Sequence, residues 1–193
     1  MKKALFLVDP QCDFITGSLP VPDAEAAMDS LAEYLRVNPN EYALKIVTCD
    51  DHPHDHCSFT GNGGQWPPHC VRQSTGAAIW PALLDSLCQK GPLHILRKGQ
   101  DSRQEEYSVF NSPGVTAQIA SLIDGLDAVD ICGIAGDICV LNTLGDALAL
   151  FGSDKFRVLA GFCPSLDGGA ALADFCRHNS VEFIGRQIFP ENS

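Results

Sequence analysis

The chain has 193 residues and a formal net charge of −11, with 45% hydrophobic and 19% charged residues. That balance excludes a disordered or fibrous chain, and the acidic excess argues against nucleic acid and anionic membranes, which need a basic face. The apolar run of the opening MKKALFLVDP stops at Asp9, too short for a secretory leader; no stretch nears the roughly 18 apolar residues of a membrane span, so the expected location is cytoplasmic.

Apolar runs of strand length alternate with segments of helical periodicity. In chain order they are a strand at Lys3–Val8, a helix at Asp23–Val37, a strand at Ala43–Thr48, a helix at Ala77–Gln89, a strand at Leu93–Arg97 and a helix at Gly114–Leu126. A strand at Ala128–Ile134, a helix at Asp137–Gly152, a strand at Phe156–Ala160, a helix at Leu166–Asn179 and a strand at Val181–Gly185 complete the series. Nearly continuous apolar strands suit a sheet covered on both faces. The pattern predicts α/β architecture: a three-layer α/β/α sandwich with a mainly parallel six-stranded sheet, in one domain over 1–193. The nine cysteines, an odd number, read as free thiols rather than a disulfide framework.

Ligands in such folds bind beyond the C-terminal ends of the strands, and there the sequence places its reactive residues. Asp9 closes the first strand and Lys98 follows the third. Cys139, in GIAGDICV, stands where the fourth strand hands over to a helix. A thiol in the first turn of a helix meets unpaired N–H groups that favour the thiolate and can hold an oxyanion. A neighbouring carboxylate would serve it as base, and a lysine would hold the negative forms of both. Taken singly, each has a plainer role: a packed cysteine, a turn-forming aspartate, a solvated lysine.

The stretch TCDDHPHDHCSFTGNGGQWPPHCV, 48–71, carries four of the six histidines. Asp50 and His52 leave a strand end on the same side, and His69 returns seventeen residues later. One carboxylate and two imidazoles suit zinc, iron or manganese and leave positions open. His56 can ligate directly, ligate through water, or orient a ligand; His54 is expected to face solvent. A structural zinc site on Cys49, Cys57 and Cys70 lacks the usual close cysteine spacing, and a metal-free polar loop is the remaining alternative.

LFLVDPQCDFITGSLPV, TCDDHPHDHCSF, WPPHCVRQSTGA, LRKGQD with EEYSVF, and GIAGDICV together span most of the chain. In that order they resemble the nicotinamidases, including the pyrazinamide-hydrolysing amidases, within the isochorismatase-like cysteine hydrolases. The resemblance implies a catalytic triad of Asp9, Lys98 and Cys139, and oxyanion donors on the backbone of Ala135 and Cys139. It further implies aromatic walls at Phe14, Trp66 and Tyr107, a cis peptide between Ile134 and Ala135, and one divalent metal on Asp50, His52 and His69, with His56 beside them. Zinc is the first expectation for that metal, with iron or manganese as alternatives. The implied activity is hydrolysis of nicotinamide to nicotinate and ammonia through a thioester, a step of NAD salvage. The implied partner is a small carboxamide, nicotinamide or pyrazinamide, with no nucleic acid or membrane partner; a homo-oligomer is compatible with this. The competing expectations are a metal-independent isochorismatase-type or other small-amide hydrolase, and an inactive ligand-binding homologue. Relatives usually carry Ala-Thr-Asp/Glu-Tyr-Cys before the thiol; here the segment reads AGDIC, with Gly136 and Ile138.

Overall fold

In the computed structural model, residues 1–185 are described; the end of the expected domain, 186–193, lies outside them. Six strands form one sheet: β1 (Lys3–Val8), β2 (Leu44–Asp50), β3 (Leu93–Lys98), β4 (Ala128–Gly133), β5 (Phe156–Leu159) and β6 (Glu182–Ile184). Their order is β3-β2-β1-β4-β5-β6, and every neighbouring pair is parallel. β1 lies at the centre, and Ala4 to Val8 are all fully buried, as its unbroken apolar run requires. β4 is likewise buried along its whole length.

The helices are α1 (Cys12–Ile15), α2 (Ala24–Val37), α3 (Pro81–Leu87), α4 (Val115–Ile123), α5 (Leu141–Phe151) and α6 (Ala170–His178). Right-handed crossovers put α2 beside α3 on one face and α5 beside α6 on the other. The core consists of the sheet's two faces and the apolar stripes laid on them, among them Met28, Leu31, Leu144 and Ala147.

Several boundaries differ from expectation, α6 among them, which begins at Ala170 rather than Leu166, and four of them have a physical reason. β2 and β3 run on to Asp50 and Lys98, which are register partners, because their ion pair of 2.6 Å continues the ladder past the apolar run. α3 starts late, at Pro81, which takes the first helical position where no N–H is needed. Ahead of it Ile79 bridges Gln11 in antiparallel fashion. The segment before α5 is a wide turn, Gly136–Val140, with Val140 N–H donating to Ala135 O at 3.1 Å; regular helix begins only at Leu141. The four-residue α1 is too short to leave a periodic signal.

The sheet reverses its winding between β1 and β4, which makes their C-terminal ends the crevice for a ligand. The strands meet closely there. Gly133 has φ +131°, and a Cβ on it would lie 2.0 Å from Val8 O, so glycine is needed to let the two ends pair. Asp9 leaves one side of this seam and the turn bearing Cys139 leaves the other.

Candidate active site

Asp9, Lys98 and Cys139 converge at the seam. Lys98 Nζ lies 2.9 Å from Asp9 Oδ2, 2.6 Å from Asp50 Oδ1, 3.1 Å from Glu106 O and 3.7 Å from Cys139 Sγ. The thiol and a carboxylate oxygen from each of Asp9 and Asp50 lie within 4.8 Å of one another. Asp9 adopts φ +47°, a conformation that aspartate tolerates better than most residues. Its Oδ1 accepts from Thr48 Oγ1 at 2.7 Å, while buried Oδ2 has the Lys98 ammonium 2.9 Å away as an ion-pair partner and no well-directed hydrogen bond. One oxygen of the carboxylate is thereby anchored and the other left to take a proton.

Burial dominates the electrostatics. It raises the pKa of Asp9, with Asp50 adding to the shift and Lys98 opposing it. It also pushes the Cys139 thiol well above its ordinary range, Lys98 pulling the other way. Burial alone would neutralise Lys98, but Asp50 and Asp9 hold it charged, well above its usual value. Asp50 is pulled below the carboxylate range, with the Lys98 ammonium at 2.6 Å the main influence opposing its burial. The resting pair is thus a protonated thiol beside a carboxylate that binds protons more readily than usual.

On the other side of Asp50 stand the imidazoles. His52 Nδ1 lies 2.9 Å from Gly99 O and His69 Nδ1 lies 2.8 Å from Pro67 O. A carbonyl only accepts, so each Nδ1 carries the proton and each Nε2 presents a lone pair. His52 Nε2 is buried without a hydrogen bond, 3.5 Å from Asp50 Oδ2. Ligand atoms of Asp50, His52 and His69 lie within 4.8 Å of one another. An orphaned imidazole lone pair beside a carboxylate and a second imidazole fits a divalent metal of the zinc type. Because no pair among Cys49, Cys57 and Cys70 joins a metal-ligand cluster among the described residues, the structure gives no support to a structural site on those thiols.

His56 stacks on His52 with ring centres 4.0 Å apart. Its Nε2 donates to Gln104 O at 3.0 Å and its Nδ1 accepts from Ser58 Oγ at 2.7 Å, so both nitrogens are engaged behind the ligand set. Phe59, buried, packs its ring against His52, His56 and His69 at 5.5 to 5.7 Å.

Thiol and ligand set open on one cavity, lined by Phe14, Trp66, Tyr107, Ala135 and Cys139 together with Asp50, His69 and Glu105; its remaining wall is Leu19, Val21, Ile138 and Leu166. Tyr107 OH accepts from Trp66 Nε1 at 3.2 Å and Gln65 Nε2 at 3.0 Å, fixing one aromatic wall. Phe14 sits against His69 with ring centres 5.4 Å apart. The peptide between Ile134 and Ala135 is cis.

Several positioning residues carried no signal in the sequence. Gln11 is buried, donates to Asp50 O at 2.8 Å and accepts from Asp50 N at 2.7 Å, clamping the backbone of that ligand. Glu106 accepts from Gly99 N at 2.7 Å and Ser112 Oγ at 2.8 Å. Gly99 has φ +67°, and a Cβ there would lie 2.3 Å from the His52 ring. That glycine, read from LRKGQD only as a companion of Lys98, makes room for the metal ligand.

The chain matches the isochorismatase domain family over residues 3–152. It is 36% identical over 191 residues to a nicotinamidase/pyrazinamidase of Mycobacterium tuberculosis, covering 94% of this chain and 98% of that one. Among solved structures it is similar to the pyrazinamidase of Pyrococcus horikoshii in complex with zinc, at 30% identity and TM-score 0.78, over 96% and 99% of the two chains. It is also similar to PnC1 of L. infantum in complex with nicotinate, at 28% identity and TM-score 0.80, over 97% and 94%.

Proposed function

The chain belongs to the isochorismatase family, among its nicotinamidases and pyrazinamidases, and we propose that it is a metal-dependent nicotinamidase, converting nicotinamide to nicotinate and ammonia through a thioester. The observation that carries this reading is one cavity lined both by Cys139, whose thiol clusters with the Asp9 carboxylate and the Lys98 ammonium, and by Asp50 and His69, which cluster with His52 as metal-ligating atoms.

Asp9 Oδ2 takes the proton of Cys139 Sγ as the sulfur attacks the carboxamide carbon. Lys98, held by Asp50 and Glu106 O, compensates the negative charge as it forms. The C–S bond forms and the carbonyl oxygen takes the charge against the N–H groups of Ala135 and Cys139. Asp9 returns its proton to the nitrogen, the C–N bond breaks and ammonia leaves. A water that gives its proton to Asp9 then cleaves the thioester, releasing nicotinate and restoring the thiol.

Asp50, His52 and His69 would hold the divalent ion, zinc by their donor set, and the ion supplies a Lewis-acid point for the pyridine nitrogen. His56 and Phe59 keep those imidazoles in place. Phe14, Trp66 and Tyr107 flank the ring, so that the carboxamide reaches the thiol already oriented. A metal-independent reaction would leave His52 Nε2 buried with nothing to bind.

The proposed setting is salvage of NAD in the cytoplasm; among the described residues no helix is long and apolar enough to cross a membrane. Ammonia release from nicotinamide by the zinc-loaded protein, set beside Cys139→Ala, tests the reading. Release by the parent and none by the variant is expected; a folded, loaded parent that releases none overturns it.

A further inference from the structure

The two departures near the nucleophile act together on one wall of the cavity. Gly136 is pressed against the segment after β5: its N–H donates to Pro164 O at 2.8 Å, and a Cβ on it would lie 2.3 Å from Ser165 Oγ and 2.8 Å from Cys163 O. Any side chain here would collide with residues 163–165, so the bare glycine lets them close in. Asp137 then fastens the following residues, its Oδ1 accepting from Leu166 N at 3.1 Å and its Oδ2 from Asp167 N at 3.0 Å. The result brings Leu166 to the cavity beside Ile138. Leu166 is 47% exposed, an aliphatic side chain standing in solvent at the mouth.

The cavity's chemistry is divided accordingly. Asp50, His69 and Glu105 bring polar groups to its lining and Cys139 the thiol, while Leu19, Val21, Ile138 and Leu166 bring only aliphatic side chains. A pyridine-3-carboxamide whose nitrogen meets those polar groups and whose carboxamide meets the thiol has one ring carbon, C5, that is meta to both. This edge is left for the aliphatic wall. Resting on the carboxamide chemistry proposed above, we propose that Ile138 and Leu166 form an aliphatic lip that selects pyridine carboxamides bearing a small apolar group at C5 and disfavours a polar group of the same size.

The test is the ratio of dissociation constants for 5-hydroxynicotinamide and 5-methylnicotinamide on zinc-loaded Cys139→Ala protein, by calorimetry. A ratio of about 10 or more in favour of the methyl compound is expected, the scale on which an apolar pocket separates such isosteres. It should fall below about 3 when Leu166→Asn or Ile138→Thr is added. Because Leu166 is exposed, its substitution tests the lip even if the Ile138 variant folds poorly. A ratio near 1 in the starting protein, or one that neither substitution lowers, overturns the lip. Ammonia release by the parent separates the two readings. Release with a ratio near 1 removes the lip alone; no release with the expected ratio removes hydrolysis and leaves the lip; no binding of either compound removes both.

Discussion

Two buried charge clusters lie in the same sheet, and they are built to opposite specifications. Asp130 in β4 is 1% exposed. Its Oδ1 accepts from Arg157 Nε at 2.7 Å, its Oδ2 accepts from Tyr42 OH at 3.0 Å, and Lys3 Nζ stands 3.5 Å away. Nothing is left over. At the strand ends, Asp9, Asp50, Lys98 and His52 are just as deeply buried, yet Asp9 Oδ2, faced only by the Lys98 ammonium at 2.9 Å, and His52 Nε2 both lack a well-directed hydrogen bond. Of the three such side-chain atoms among the described residues, these two face the thiol and the metal ligands, and the third, Thr143 Oγ1, has no explanation in the structure. A satisfied buried charge cross-links the fold; one left short of partners beside a cavity is a place for something that arrives later.

The contrast breaks most sharply at Cys139. Cys139→Ala should lower turnover by about 10⁴-fold or more while the thermal midpoint falls little, because the change removes one sulfur atom beside the cavity; a melting curve and an ammonia assay read both. Asp130→Ala should do the reverse. Leaving Arg157 and Tyr42 unpaired is expected to cost about 3–5 kcal/mol of stability, seen in the urea midpoint, with kcat of the folded protein close to the parent's. If Asp130→Ala abolished turnover without lowering stability, the division into two kinds of cluster would be wrong. Gly99→Ala sharpens the comparison within the site: its Cβ displaces the His52 ring, and zinc affinity should drop by about 10–100-fold, measured by competition with a chelator.

The smallest effect is on pH. Since burial raises Asp9 above its ordinary 3.8 and the reaction needs it ionised, kcat/KM should climb with pH along an acid limb lying above that value. Stability moves the other way. Between the ordinary and the raised pKa the folded chain keeps a proton that the unfolded chain has lost, so Asp9's contribution falls as pH rises through that window. In chelator-treated protein, Asp9→Asn should remove this slope.

Much of this was legible in the sequence because the reactive residues follow apolar strands. A run such as ALFLV ends where the sheet ends, and parallel strands share that edge, which places Asp9, Asp50, Lys98 and Cys139 together without any knowledge of contacts. The rings at Phe14, Trp66 and Tyr107 came only through resemblance, since α1 and the loop of WPPHC have no periodicity to place them. Gln11, Thr48, Glu106 and Phe59 were invisible for another reason. Gln11 and Thr48 act through hydrogen bonds across 39 residues, and Glu106 and Phe59 through loop hydrogen bonds and ring contacts, none of which a linear pattern encodes. The turn at Gly136–Val140 read as the start of α5 because its apolar residues run on into the spacing of the helix that follows, and only its hydrogen bonds set it apart.

The strand order also has a consequence for a chain being synthesised from its N-terminus. β1 is the first strand made and the most central, but β4, its neighbour at the catalytic seam, begins only at Ala128. Until then β1 can pair with β2, and β2 with β3, while the other edge of β1, Ala4 to Val8, stays open, apolar and ready to add a foreign strand. The half-sheet that emerges first already carries Asp9, Asp50, His52, His69 and Lys98, and the arrival of the strand that leads to Cys139 both closes that vulnerable edge and brings the last member of the cluster.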